Sequence, residues 1–269
     1  MNDRTPQPGT VVIERFMDDE HSAIVSRGDF GEIFRAWRAH AQAHEIDRPD
    51  GLSEVMMRQG LAAGALHLAT RRRGEEVAWT LNLKLPPTNI FVSGDNTTRS
   101  ITGRAYVRDV AIAETSRLFV ETRRGDTSFR SVIEVEGLDV VDIFNRYYSQ
   151  SEQKRARFFE LSETEFLLVF GLPTAPAEWV ESIDLERAKR LDTKALGPLG
   201  TEVYTFRCDC DPQRMRVAVR AIFKDRVEEL FLEDDHVMLA CPRCGRRWRL
   251  GREDFYSDPD GVQAGPKPA

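Results

Sequence analysis

Cysteine is absent from the first 207 residues, and only four occur in the whole chain of 269. That excludes a disulfide framework for the bulk of the protein, whose stability must come from a packed core. Long apolar runs are also missing. The longest, Phe166 to Leu172, falls far short of a membrane span, and Met1 through Pro8 lacks the basic-then-apolar order of a secretory signal, so cytosolic residence is the expectation. There is no excess of positive charge: the net charge is −6, with 30% charged residues, and no global electrostatic footprint for nucleic acid exists. No phosphate-cradling glycine loop, nucleophile elbow, zinc-protease motif or internal repeat is found. No catalytic residue is assigned and an enzyme is not expected.

What is present suits a folded protein. A hydrophobic content of 41% is adequate for a core, and the length accommodates one sizeable domain plus a small one. Phe30 to His44 reads as a helix with Ile33, Phe34 and Trp37 on one face and Asp29 as N-cap. A second helix is predicted from Ser53 to Thr70, with Leu52, Val55, Met56, Gln59, Ala62, Ala63 and Leu66 at helical spacing. The period then changes to two: Val77, Trp79, Leu81, Leu83 and Leu85 alternate with mostly polar residues, as in a strand with one buried face, and Pro86-Pro87 ends it. Further strands are predicted at 89–93, 99–112, 117–123, 129–135, 157–161 and 165–170, with one helix at 140–150. The fold class is α+β, an antiparallel-rich sheet with covering helices over residues 12–172.

From 173 to 207 the apolar periodicity fades, and this stretch reads as a connector carrying at most an amphipathic helix from Trp179 to Leu191. A small C-terminal subdomain, 208–256, follows. Asp211-Pro212 supplies an N-cap and an N1 proline to a helix with Met215, Val219, Ile222 and Phe223 on one face. A short helix from Asp225 to Phe231 and a strand from His236 to Ala240 come next, and residues 257–269 read as a disordered tail.

The four cysteines form two close pairs, Cys208-X-Cys210 and Cys241-X-X-Cys244, with thirty residues between them. Two such pairs around a short subdomain are the signature of a closed four-thiolate zinc site, with no position left for a catalytic water. Two roles are open. Zinc either only stabilises a subdomain too small to hold itself together, or it keeps four thiolates ready for an oxidant. Oxidation of any pair removes two ligands at once. A disulfide across the one-residue spacing of Cys208 and Cys210 departs from relaxed geometry, which favours reversibility. His236 lies nearby, but four cysteines suffice. His40 and His44 sit four apart on a helix with no third ligand in view. Arg243, Arg246, Arg247, Arg249 and Arg252 form the one local argument for nucleic acid, against a solvated basic face beside the thiolates.

These residues resemble the heat shock protein 33 family of redox-regulated cytosolic holdase chaperones. The resemblance rests on Phe206-Arg207-Cys208-Asp209-Cys210 leading into a helix, on Cys241-Pro242-Arg243-Cys244-Gly245 with Trp248, and on Glu253-Asp254. A second match is Tyr147-Tyr148-Ser149-Gln150-Ser151-Glu152-Gln153, similar to the family's aromatic-x-x-Ser-Glu-Gln signature at a helix end. The resemblance implies a reduced, Zn2+-bound, largely inactive monomer with Cys208, Cys210, Cys241 and Cys244 as ligands. It further implies that oxidation forms the disulfides Cys208 to Cys210 and Cys241 to Cys244, releases zinc, loosens the connector and exposes apolar surface that holds unfolding client proteins without ATP, with homodimerisation of the active form. Three departures stand out: Lys154-Arg155 follow the signature where Pro-Thr is common, Leu85-Pro86-Pro87 replace the family's glycine-rich turn after the strand carrying Trp79, and the connector is short. Ser151, Glu152 and Gln153 read best as a turn that fixes the following strand rather than as a client contact.

Overall fold

In the computed structural model, which describes residues 7–256 apart from 48, 50 and 233, two strands come first. These are β1 (Thr10–Asp18) and β2 (Ala23–Asp29), an antiparallel pair followed by α1 (Gly31–Ala43) and α2 (Gly51–Ala69). Five strands succeed them: β3 (Glu75–Leu83), β4 (Thr88–Asp95), β5 (Ser100–Tyr106), β6 (Arg117–Arg124) and β7 (Thr127–Glu134). After α3 (Val140–Gln150) come the hairpin β8 (Ala156–Glu160) and β9 (Glu165–Gly171), the short helices α4 (Ala177–Glu181) and α5 (Leu185–Arg190), and β10 (Gly197–Phe206). All ten strands form one sheet in the order β7-β6-β3-β4-β5-β10-β1-β2-β9-β8. Every pairing is antiparallel except the short one between β5 and β10. The expected α+β class with an antiparallel-rich sheet is what the chain adopts.

α2 organises the core of this unit. Met56, Met57 and every residue from Gln59 to Ala69 are buried, so the helix is enclosed on all sides rather than amphipathic. It packs on β4, β5 and β9 and against α3, although Leu52 at its start is exposed. Close approach is purchased with glycine. A Cβ at Gly103 of β5 would lie 2.4 Å from Met57 Cε and 2.6 Å from the Phe91 carbonyl oxygen, whereas one at Gly60 would meet side-chain methyls alone, Val92 Cγ2 at 3.2 Å and Ile90 Cγ2 at 3.7 Å. Gly103→Ala is therefore expected to cost about 1–3 kcal/mol by urea denaturation, because a backbone oxygen cannot step aside, and Gly60→Ala clearly less. Equal losses would contradict this packing.

Several expectations need correction. Strand β3 stops at Leu83, and Leu85, read as part of its buried face, is 72% exposed beyond the strand end. β5 ends at Tyr106 rather than Ile112, which is itself solvent-exposed. Asp29 does serve the start of α1, its Oδ1 accepting from Gly31 N at 2.8 Å, one position earlier than a true N-cap, the place Phe30 takes. The predicted helix from Trp179 to Leu191 is broken into α4 and α5, with Asp184 capping the second by accepting from Arg187 N at 2.8 Å. Residues 197–206, read as connector, form β10 in the middle of the sheet, where Tyr204 is fully buried opposite Val11. β1 and β2, a local hairpin, were not recognised in the sequence, and neither was β10, whose partners β1 and β5 lie far from it in the chain.

The chain divides into two units between Cys208 and Asp209. The second contains α6 (Pro212–Phe223), a 3-10 segment (Lys224–Leu230), the hairpin β11 (His236–Ala240) and β12 (Arg247–Gly251), and α7 (Arg252–Tyr256). Val227, Phe231, Leu250 and Phe255 make its small core, with the rings of Phe231 and Phe255 edge to face at 5.6 Å. Val219 and Phe223 pack on it from α6, but Ile222, expected on the same face, is exposed. The tail expected to be disordered, 257–269, lies outside the described residues.

Candidate metal centre

Each cysteine pair is placed by its own backbone device. The first leaves the end of β10, where Phe206 N donates to the Gly9 carbonyl at 2.8 Å and Arg207 N to the Ile101 carbonyl at 3.0 Å. Two residues after Cys210 the chain must become helical. Asp211 Oδ1 accepts from Arg214 N at 2.8 Å and Pro212 takes the first helical position, as the sequence indicates. The Arg214 side chain reaches back to the Asp209 carbonyl at 2.7 Å, tying down the residue between the first two thiols. The second pair sits in the turn joining β11 to β12. There Gly245 N donates to the Cys241 carbonyl at 2.9 Å and Cys241 N to the Arg246 carbonyl at 2.8 Å. Gly245 has φ of 83°, a conformation that only glycine takes at no steric cost, so this knuckle folds back on Cys241 because that position lacks a side chain.

The result brings one ligand atom from each of Cys208, Cys210, Cys241 and Cys244 within 4.8 Å of one another. Cys241 and Cys244 are buried and the other two half-buried. Cys210 Sγ and Cys244 Sγ are 3.4 Å apart, well beyond a sulfur–sulfur bond of about 2.05 Å. A tetrahedral zinc with Zn–S bonds of about 2.3 Å spaces its sulfurs by roughly 3.8 Å, so the donor set fits that ion in number, chemistry and spacing. Among the described residues this is the grouping of three or more metal-ligating side chains, and His40, His44 and His236 stand outside it. The rings of His40 and His44 are 4.5 Å apart, and His236 Nδ1 lies 3.0 Å from an Arg249 nitrogen.

Two of the arginines around the knuckle lie over aromatic rings of the subdomain. Arg246 lies over the ring of Trp248 at 5.5 Å, and Arg252 lies over Phe231 at 4.7 Å while pairing with Glu228. Arg246, Arg247 and Arg249 remain solvent-exposed.

A second constellation is one whose geometry the sequence does not disclose. The Tyr147–Gln153 segment closes onto α2 through buried polar groups. Arg71 Nε donates to His67 Nε2 at 2.9 Å, so His67 carries its proton on Nδ1, 2.9 Å from the Tyr148 hydroxyl. Glu152 Oε1 accepts from Tyr147 Oη at 2.7 Å and from Arg71 Nη2 at 2.6 Å. Burial, with Arg71 adding to it, pushes the His67 pKa down to about 3. Burial alone would raise Glu152, but the Tyr147 hydrogen bond and the charge of Arg71 outweigh it and hold the carboxyl at about 2. The segment thus works as a clamp between α2 and α3, a role different from the strand-fixing turn expected of Ser151 to Gln153. A signal was present in the sequence, a histidine near the end of the apolar half of α2 with an arginine four residues on.

No family model matches the chain. Among curated proteins, the 33 kDa chaperonin of Nitrosococcus oceani is 22% identical over 274 residues, covering 90% of this chain and 92% of that protein. Among solved structures, the crystal structure of the 33 kDa chaperonin (heat shock protein 33 homolog) of Thermotoga maritima aligns with a TM-score of 0.64 at 14% identity, covering 93% of this chain and 97% of that one. The resemblance carried by the two cysteine pairs and the Tyr147–Gln153 segment therefore extends along most of the chain, and in sequence and fold this protein is similar to the 33 kDa chaperonins.

Proposed function

We propose that this protein is a cytosolic, ATP-independent holdase that binds unfolding proteins under oxidative stress and is switched by Cys208, Cys210, Cys241 and Cys244. The observation that carries the reading is the gathering of four sulfurs within 4.8 Å around a subdomain with a four-residue buried core. The similarity to chaperonins along 90% of the chain supports it. The same four residues hold Zn2+ in the reduced form. Bound zinc would keep the sulfurs as thiolates, the nucleophilic form.

With a peroxide as oxidant, one thiolate sulfur attacks an oxygen and becomes a sulfenic acid as hydroxide leaves. A neighbouring thiolate then displaces a second hydroxide to form the disulfide, two electrons having passed to the peroxide. Pairing follows the two motifs, Cys208 with Cys210 and Cys241 with Cys244. Each disulfide subtracts two donors from the site. The small core then lacks its cross-link, and the apolar side chains of the subdomain become available to clients and to a second copy of the chain. No catalytic turnover is involved, so the protein acts as a binder rather than an enzyme.

The test measures zinc content, disulfide pairing by peptide mapping, and suppression of aggregation of a heat-unfolding client on one sample, before and after peroxide. Zinc lost and holdase activity gained together, both reversed by dithiothreitol, is the expected result. Zinc retained with unchanged activity would make the cysteine cluster a structural ribbon and end the switch reading.

A further inference from the structure

One cationic concavity of the ten-stranded unit has no part in the cysteine chemistry. It is a cavity of about 660 Å³ where α3, the start of β8 and α4 meet, walled by Arg146, Lys154, Arg155 and Arg157 together with Asp142 and Glu181. That volume is within the range of small-ligand sites. Four cations against two carboxylates is an unusual wall in a protein whose net charge is −6.

What distinguishes the cavity is how these cations are compensated. Arg146 pairs with Glu136 at 3.6 Å and Lys154 with Glu152 at 3.3 Å, and neither carboxylate belongs to the wall. Arg155 donates to the Ala175 carbonyl, which satisfies a hydrogen bond and neutralises no charge. Arg157 has no ion pair among the described residues. Its guanidinium lies 5.7 Å from the Phe159 ring, and its Nε is enclosed without a hydrogen-bond acceptor. Asp142 and Glu181 line the same cavity, yet neither comes within 4.0 Å of Arg155 or Arg157 among the described ion pairs. An enclosed guanidinium nitrogen without an acceptor costs free energy that a bound oxyanion would return, and a guanidinium fork suits two oxygens of one phosphoryl group.

We propose that this cavity is a binding site for a compact multivalent oxyanion of the diphosphate class, with Arg157 as its central contact and Lys154 and Arg155 as flanking cations. A singly charged anion would satisfy only one of these groups. A diphosphate presents two phosphoryl groups, one for the Arg157 fork and one for the flanking pair. No wall residue is aromatic, so nothing here reads a nucleobase. None of its wall residues belongs to the C-terminal unit.

Isothermal titration of inorganic pyrophosphate into the full-length reduced protein tests this. Submillimolar binding at low ionic strength, weakened by salt and at least tenfold tighter than for chloride or acetate, is expected. Arg157→Gln should weaken it about tenfold or more, as should the double change Lys154→Gln with Arg155→Gln. The exposed Arg130→Gln on β7 should leave it unchanged. Circular dichroism and urea midpoints check that each variant is folded, and pyrophosphate-dependent shifts of the wild-type melting temperature supply a second readout. Absence of submillimolar binding, or equal affinity in the Arg157→Gln and Arg130→Gln proteins, would overturn the proposal.

Discussion

Replacing Cys244 with serine is expected to abolish stoichiometric zinc binding and to unfold the C-terminal unit while the ten-stranded unit keeps its own transition. The imbalance is one of scale. A structural zinc supplies about 10–16 kcal/mol of apparent binding free energy in small modules. Val227, Phe231, Leu250 and Phe255, the buried apolar core outside the cysteines among the described residues of this unit, bring about 1.5–3 kcal/mol each before the entropy of ordering some fifty residues is counted. Domains of that size rarely hold without a metal or disulfides. Cys244 is 2% exposed and in van der Waals reach of Cys210, so a hydroxyl there offers a poorer ligand and leaves a buried polar group. The check is zinc by atomic absorption and limited proteolysis mapped by mass. Cleavage between Asp211 and Tyr256 should accelerate at least tenfold, with no new cuts from Thr10 to Phe206, and a chelator acting on the wild type should reproduce the pattern. Unchanged protease resistance after quantitative zinc removal would mean that the core suffices by itself.

Disrupting the clamp in the larger unit should be nearly as damaging. Glu152→Ala removes the acceptor of both the Tyr147 hydroxyl and the Arg71 guanidinium, whose side chain is 16% exposed and otherwise has Glu75 at 3.9 Å. Leaving that charge partly buried and poorly paired is expected to cost about 3 kcal/mol. The same clamp makes the unit acid-sensitive. The folded pKa of His67 lies below its ordinary 6.5 and that of Glu152 below its ordinary 4.5, so the native state binds fewer protons than the unfolded chain and stability falls as pH falls. His67 acts from about pH 6.5 down to about 3 and Glu152 from about 4.5 down to about 2. Each contributes a slope of up to about 1.4 kcal/mol per pH unit within its window. Urea midpoints at pH 7, 6 and 5 should therefore decline for the wild type and for Glu152→Ala, and stay nearly level for His67→Gln. A His67→Gln protein with the wild-type slope would place the titrating group elsewhere.

Legibility in the sequence followed the range of the forces involved. α3 has the bounds read for it, and β11 does too, because one periodic run with its own start and stop signals defines each. Asp211 and Pro212 announced α6 for the same reason: cap and first turn are neighbours in the chain. β10 shows the opposite case. Gly197, Pro198 and Gly200 read as loop, and the segment is a strand only because β1, nearly two hundred residues earlier, offers its backbone groups from Thr10 to Met17. Leu85 marks the limit of a period-two pattern, which continued in sequence past the point where pairing with β4 stopped at Thr88. The Tyr147–Gln153 segment was recognised as a signature, but its partners His67 and Arg71 lie some eighty residues away, and nothing local links them.

The sequence by itself determined the α+β class, the four thiols as a set that could hold a metal ion and the likeness to the chaperonins, because each rests on patterns of closely spaced residues. Only the tertiary structure decided that β10 completes the sheet, that Glu152 and His67 clamp α2 to α3, and that Arg157 lines a cavity with no ion pair of its own among the described residues. Those outcomes depend on which distant groups share a low-dielectric space, and burial and pairing are properties of the packed chain rather than of any segment of it.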